Sequence, residues 1–204
     1  MNNLLLGDCL HSLKQLPDNS VDSIVSDPPY GISFMGKKWD YDIPSIEVWR
    51  ECLRVLKPGS HALIACGTRT QHRMAVNLED AGFEIRDIVA WIYGSGFPKS
   101  LNIGMAVDEL LGNERKDFGE SINNRDRAKH LYNSVGNVGS RARVTRGDSA
   151  WEGWGTALKP AMELWTLCRK SLAEKTVARN VLKYETGGLN IEACRVPSVV
   201  RPLR

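Results

Sequence analysis

The apolar positions along this chain change period several times, and each change marks an element. Val21-Asp22-Ser23-Ile24-Val25 is a short run rich in β-branched residues, the pattern of a buried strand, and it stops abruptly at Asp-Pro-Pro-Tyr, residues 27–30. Over residues 45–56, Ile46, Trp49, Leu53 and Leu56 recur at helical spacing, with Ser45 as N-cap and Lys57-Pro58-Gly59 as a stop. An apolar run at 61–66 predicts a second strand, 70–81 a second helix closed by Gly82, and 83–93 a third strand. Ahead of these, 3–6 is a short apolar strand, and Leu10, Leu13 and Leu16 follow it at amphipathic spacing. A helix over 101–111, a polar segment reaching about 150 and a last strand at 163–168 complete the pattern. Strands alternating with helices predict an α/β fold built on a parallel, doubly wound sheet.

The turn at 27–30 has chemistry of its own. Two consecutive prolines fix φ, remove two backbone donors and hold Asp27 extended. The Asp27 carboxylate and the carbonyls of Asp27 and Pro28 are then acceptors without competing N–H groups, and Tyr30 supplies a flat face beside them. An amino group on a planar ring fits such a rim. In open α/β sheets, ligands bind beyond the carboxyl ends of the strands, where these residues fall. The plainer alternative is a strand-ending turn capped by Asp27, because turns favour Asp and Pro.

Taken with Leu6-Gly7-Asp8-Cys9-Leu10, Leu13, Leu16-Pro17 and Ser20-Val21-Asp22, this turn resembles the catalytic motif of the amino-methylating DNA methyltransferases that use S-adenosylmethionine. About the first thirty residues match as a block. The resemblance implies a Rossmann-like α/β methyltransferase sheet, S-adenosylmethionine as cofactor and DNA as partner. It implies catalytic roles for Asp27, Pro28, Pro29 and Tyr30, and it places Asp8, Cys9 and Asp27 against the cofactor. Asp8 is equally well placed to cap the helix that follows it. Asp-Pro-Pro-Tyr, rather than Ser-Pro-Pro-Tyr, leans toward the N6 amine of adenine and away from the N4 amine of cytosine. The absence of a Pro-Cys pair argues against methylation of a cytosine ring carbon.

The function so implied is a site-specific adenine-N6 DNA methyltransferase of restriction-modification or phage origin. The alternatives are a cytosine-N4 or RNA methyltransferase, and a truncated or noncatalytic DNA-binding fragment or one subunit of a split enzyme. The resemblance also makes 163–168 the edge strand that pairs antiparallel to the strand before it. In such methyltransferases a Phe-x-Gly-x-Gly turn, following an Asp-Pro pair late in the chain, holds the methionine part of the cofactor. Here Gly94-Ser95-Gly96 has Ile92 in place of Phe, and Gly153-Trp154-Gly155 and Gly187-Gly188 fit no better. The expectation is an incomplete sheet that carries the catalytic half, binds S-adenosylmethionine weakly by itself and exposes a strand edge near 3–6. A complementing subunit or self-association would supply the rest.

Composition narrows the picture slightly. A chain of 204 residues, 42% hydrophobic and 25% charged, is enough for one domain over 1–204, with 113–150 as a polar, basic insertion or loop. A net charge of +3 permits a nucleic-acid partner without arguing for one. The strongly basic stretch is 125–146, where Arg125, Arg127, Lys129, Arg141, Arg143 and Arg146 stand against Asp126. Arg141, Arg143 and Arg146 are suited to phosphate contacts, although a solvated insertion has the same composition. In the loop at 32–43, Lys37 and Lys38 lie among Trp39 and Tyr41. That mixture suits DNA, and an ordinary surface loop pinned by Trp39 is the alternative.

Five cysteines, Cys9, Cys52, Cys66, Cys168 and Cys194, form no Cys-x-x-Cys pair, and the histidines are scattered. They read as reduced thiols of a cytoplasmic protein without a metal site. With no apolar run of about 18 residues, no membrane partner is expected.

Overall fold

The structure, a computed structural model, describes residues 4–92, 101–120, 143–158 and 162–196. The described elements, in chain order, are α1 (Cys9–Leu13), β1 (Val21–Ser26), α2 (Ile46–Val55), β2 (Leu56–Cys66), α3 (Gln71–Ala81), β3 (Glu84–Ile92), α4 (Ile103–Leu111), β4 (Lys116–Glu120), β5 (Arg143–Arg146), β6 (Met162–Arg169), α5 (Val177–Tyr184) and α6 (Ile191–Cys194). Two compact units result, one of residues 1–94 with 162–204 and the other of residues 95–161.

The first unit is a mixed α/β structure around a four-stranded sheet of order β1-β2-β6-β3. β1 runs parallel to β2, and β6 runs antiparallel to both β2 and β3. The three strands that alternate with helices in the sequence therefore share one direction, as their pattern predicts. β6 departs from expectation: it pairs antiparallel to β3, but it lies inside the sheet, between β2 and β3, and is not an edge. The physical reason is apolarity on both sides, since Thr166 and Cys168 are buried and each faces a partner on either flank.

Side chains alternate across the strands, and one face carries the core. Ala62, Ile64 and Cys66 of β2 and Cys168 of β6 meet Trp49, Cys52 and Leu56 from α2 and its end, and Met74, Leu78 and Ala81 from α3. The helical spacing read from the sequence matches these buried faces. Gly82 ends α3 in the left-handed region at φ 108°, a conformation that glycine adopts without penalty. The opposite sheet face is open among the described residues, where Val25, Val89 and Trp91 are exposed.

Two further differences have local causes. Residues 4–6 form no strand, and Leu4 and Leu6 are almost fully exposed: among the described residues β1 pairs with β2 alone, so nothing on its outer side offers these leucines a ladder. The Lys57-Pro58-Gly59 stop is instead absorbed into β2, whose register against β1 jumps between Val21↔Leu56 and Ser23↔His61. Gly59 takes φ 81° there. The Pro58 carbonyl accepts from Asn180 Nδ2 at 2.8 Å and Thr186 Oγ1 at 2.6 Å, so a residue with no N–H is tolerated because α5 and the turn after it satisfy its carbonyl.

In the second unit, Asn102 caps α4 by accepting from the Met105 N–H at 3.0 Å, and β4 pairs antiparallel with β5. Buried Asp108 of α4 pairs with Arg115, whose guanidinium also reaches Glu152 at 3.0 Å and the Thr145 carbonyl at 3.2 Å. One arginine thereby joins the helix, β5 and the turn around Trp151 and Trp154, whose rings meet edge to face at 5.1 Å.

Candidate active site

β1 ends at Ser26, so the Asp-Pro-Pro-Tyr turn leaves the carboxyl end of a strand paired on one side to β2. Asp27 is exposed, and Pro28, Pro29 and Tyr30 are half-buried. Among the described residues the Pro28 carbonyl accepts no hydrogen bond, which leaves it as an acceptor at the rim beside the Asp27 carboxylate.

Tyr30 is held at every end. Its hydroxyl donates to Asp27 Oδ1 at 2.7 Å, its carbonyl accepts from Thr70 Oγ1 at 2.6 Å, and its N–H donates to Asp40 Oδ1 at 2.7 Å. The ring lies over Gly67, where an added Cβ would come within 3.1 Å of Tyr30 Cδ2. Glycine after β2 is thus what lets the aromatic face settle against the end of the neighbouring strand. Burial raises the Tyr30 phenol well above its ordinary range, helped by the hydrogen bond to Asp27 and by the negative charges of Asp27 and Glu163. The group stays protonated and remains a donor.

The loop after Tyr30 closes on a residue that sequence reasoning missed. Asp40 is 2% exposed, and its Oδ1 accepts from the N–H groups of Tyr30 and Gly31 at 2.7 and 3.0 Å, its Oδ2 from Ile32 and Phe34 at 3.3 and 2.8 Å. The Ser33 N–H donates to the Asp40 main-chain carbonyl at 2.7 Å. Burial pushes the Asp40 carboxyl up, but the N–H groups of Phe34, Tyr30, Gly31 and Ile32 outweigh it and hold the group below its ordinary range. The left-handed residues Gly31 and Ser33, at φ 67° and 53°, turn the N–H groups inward. A carboxylate following two glycine-bearing turns within a dozen residues of the motif was the available signal, but an isolated Asp between Trp and Tyr carries no periodicity.

Lys37 and Lys38 lie in this loop, around two short 3-10 turns at Phe34–Gly36 and Lys38–Asp40. Both lysines are exposed, as are Trp39 and Tyr41, so the basic and aromatic side chains face outward while Asp40 faces in. Trp39 is not the pin of the loop; Asp40 is.

Asp8 is the N-cap of α1, its Oδ1 accepting from the His11 N–H at 3.1 Å, and Cys9 opens that helix with its side chain exposed. Leu13 packs against the core, and Arg54 ties α1 to α2 by donating to the Leu13 and Leu16 carbonyls at 2.8 and 2.9 Å. Of the basic candidates in the second unit, Arg143 and Arg146 bound β5 and Arg146 is exposed, while Arg141 lies outside the described residues. The structure therefore brings Asp27 and Tyr30 together, joins them to Lys37 and Lys38 through one loop, and keeps Arg143 and Arg146 in a separate unit. Among the described residues, no three His, Cys, Asp or Glu side chains cluster as metal ligands, and no helix is long and apolar enough to cross a membrane.

A mixed α/β sheet with an acidic Pro-Pro-Tyr turn at the carboxyl end of a strand defines a class of site suited to a planar amine. The chain belongs to the N6_N4_Mtase family, described as DNA methylase, which it matches over residues 21–182. It is similar to the type II methyltransferase M.HindIII of Haemophilus influenzae, with 25% identity over 90% of this chain and 63% of that protein. It is also similar to M.HinfI of Haemophilus influenzae, at 29% identity over 45% of this chain and 31% of that protein. The chain thus spans from about a third to somewhat under two thirds of the length of these curated relatives. Among solved structures, the DNA modification methylase TTHA0409 from Thermus thermophilus is matched at 16% identity and a TM-score of 0.44, covering 94% of this chain and 58% of that one.

Proposed function

We propose that this chain carries the base pocket of a DNA methyltransferase that modifies the exocyclic N6 amine of adenine, with S-adenosylmethionine as methyl donor, in a restriction-modification setting. The observation that carries the reading is the acceptor pair at the end of β1: an exposed Asp27 carboxylate and an unengaged Pro28 carbonyl, beside a Tyr30 ring that is fixed at every end. Family membership supports methylation of DNA, and M.HindIII and M.HinfI are type II methyltransferases.

An exocyclic amine is a poor nucleophile because its lone pair is conjugated with the ring. Asp27 and the Pro28 carbonyl each accept one amino proton, which favours a tetrahedral nitrogen and directs its lone pair away from the rim. The Tyr30 hydroxyl occupies Asp27 Oδ1, so Asp27 Oδ2 is the oxygen that meets the amine. A base reaches such a pocket by leaving the helix, and the Tyr30 face replaces the stacking it loses. Once the nitrogen has taken the methyl group, its surplus proton leaves through Asp27. S-adenosylmethionine, when bound, supplies the methyl group.

The donor set fits that cofactor at one end. The Asp8 carboxylate is exposed and uses only Oδ1 on its helix, so Oδ2 remains for a ribose hydroxyl, with Cys9 next to it. Lys37, Lys38, Arg141, Arg143 and Arg146 are the proposed phosphate contacts. A complementing subunit or a second copy of the chain belongs to this reading as well, supported by the outer edge of β1, where Val25 is 70% exposed.

The test is methyl transfer from labelled S-adenosylmethionine to duplex DNA, with the product nucleoside resolved as N6-methyladenine or N4-methylcytosine. Asp27→Ala should lower transfer by about a hundredfold or more while the circular dichroism spectrum stays unchanged. Near-normal transfer by this variant overturns the chemistry, and an N4-methylcytosine product overturns the adenine assignment.

A further inference from the structure

Five consecutive backbone N–H groups, from Tyr30 to Phe34, all donate to one residue. Four go to the Asp40 carboxylate and the Ser33 N–H goes to the Asp40 carbonyl. Convergent N–H groups in a loop containing left-handed residues form a concavity that binds an anion, and here the anion is supplied by the chain itself, ten residues after the first donor. The carboxylate is buried. Its oxygens are each used twice, so replacing it leaves four donors inside the protein without partners.

The geometry points to Asp40 as the positioning residue of the catalytic turn, an inference that rests on the function proposed above. Asp40 touches neither base nor cofactor in that reading; it acts through Tyr30. The Tyr30 N–H and carbonyl are fixed by Asp40 and Thr70, and the two fix the plane of the backbone on which the ring and the Asp27 bond depend. The same carboxylate sets the loop's polarity, because turning Asp40 inward turns its neighbours Trp39 and Tyr41 outward, where both are more than half exposed. Lys37 and Lys38, exposed in the same loop, thereby move as one body with Tyr30. Contact between this loop and DNA is transmitted to the base pocket through Asp40.

Three measurements on the full chain test this. Amide hydrogen exchange at Tyr30, Gly31, Ile32 and Phe34, read by nuclear magnetic resonance, should accelerate together by at least tenfold in Asp40→Ala, with exchange in β2 unchanged. Methyl transfer should fall at least tenfold through kcat, with KM for S-adenosylmethionine within twofold of the native value. Sodium formate, which returns a carboxylate to the emptied concavity, should recover part of both the protection and the transfer, whereas sodium chloride at equal ionic strength should recover neither.

A residue that merely stabilises the fold would lower active fraction and β2 protection alike and would gain nothing specific from formate. Unchanged exchange at the four amides overturns the clamp, and full transfer with the four amides deprotected overturns the positioning role. If Asp40→Ala does not fold, Asp40→Asn, equal in size but with one acceptor in place of two, carries the same readouts. If the native chain transfers no methyl group to any DNA, the proposed function fails, while the exchange data still decide whether Asp40 orders the turn.

Discussion

The Tyr30 hydroxyl donates to Asp27 Oδ1 across 2.7 Å, so the aromatic face and the acidic acceptor of the proposed pocket are one hydrogen-bonded unit before any base arrives. The bond occupies a single carboxylate oxygen, and the ring does the stacking. Tyr30→Phe keeps the ring and loses only the bond, whereas Tyr30→Ala loses both. Use of duplex DNA should therefore stay within a few-fold of native in Tyr30→Phe and weaken in Tyr30→Ala by about 1–3 kcal/mol, the worth of one base–aromatic stack. Equal losses in the two variants would show that the hydroxyl, not the face, is what matters.

Much of the first unit was legible because its elements obey simple periodicities. Trp49 and Leu53 repeat at helical spacing, Gly82 punctuates, and Ala62, Ile64 and Cys66 alternate, all in register with the buried face that they occupy. The Asp-Pro-Pro-Tyr turn was legible because prolines restrict the backbone whatever surrounds them. Long-range facts left no such local trace. The place of β6 between β2 and β3 depends on pairing across about a hundred residues, and the continuation of β2 through Pro58 depends on Asn180, more than a hundred residues later. Asp40 was illegible for another reason: its partners are backbone N–H groups, which every residue but proline has, so no partner side chain marks the site.

Where β3 and β6 begin and end their pairing, Arg169 donates to Glu84 Oε2 from Nε at 3.0 Å and from Nη2 at 2.6 Å. That bond holds the Glu84 carboxyl below its ordinary range, against the opposing push of burial and with further help from the Arg169 charge. A carboxylate depressed by folding adds stability that is fully present above its unfolded value and is lost as pH falls through the folded value. The Glu84→Gln variant should therefore be less stable than native near neutral pH, and the gap should close as the medium is taken below the ordinary carboxylate range. Urea midpoints of both proteins at several pH values check the sign. A gap that widens on acidification would mean that Glu84 is not the charged partner of Arg169. Because Glu84 keeps about a third of its side chain in solvent, the effect should be small.

Phosphate contacts differ from base contacts in how they answer to salt, and this separates the two proposed roles of the second unit. Arg143 and Arg146 bound β5, and Arg141 precedes them in the basic stretch. If all three neutralise phosphates, each releases condensed counterions on binding, and the slope of log affinity against log salt contains roughly 0.9 per contact. Changing the three to Gln should flatten that slope by roughly 2–3 and weaken binding to unrelated duplexes as much as to a methylated site, because phosphate contacts carry no sequence information. The fold of the unit should survive, since its central ion pairs use Arg115 with Asp108 and Glu152 and none of the three altered side chains. Titration of a labelled duplex at several salt concentrations reads the slope directly. An unchanged slope would return this segment to the role of a solvated insertion, and a loss confined to one DNA sequence would reassign the arginines from phosphates to base edges.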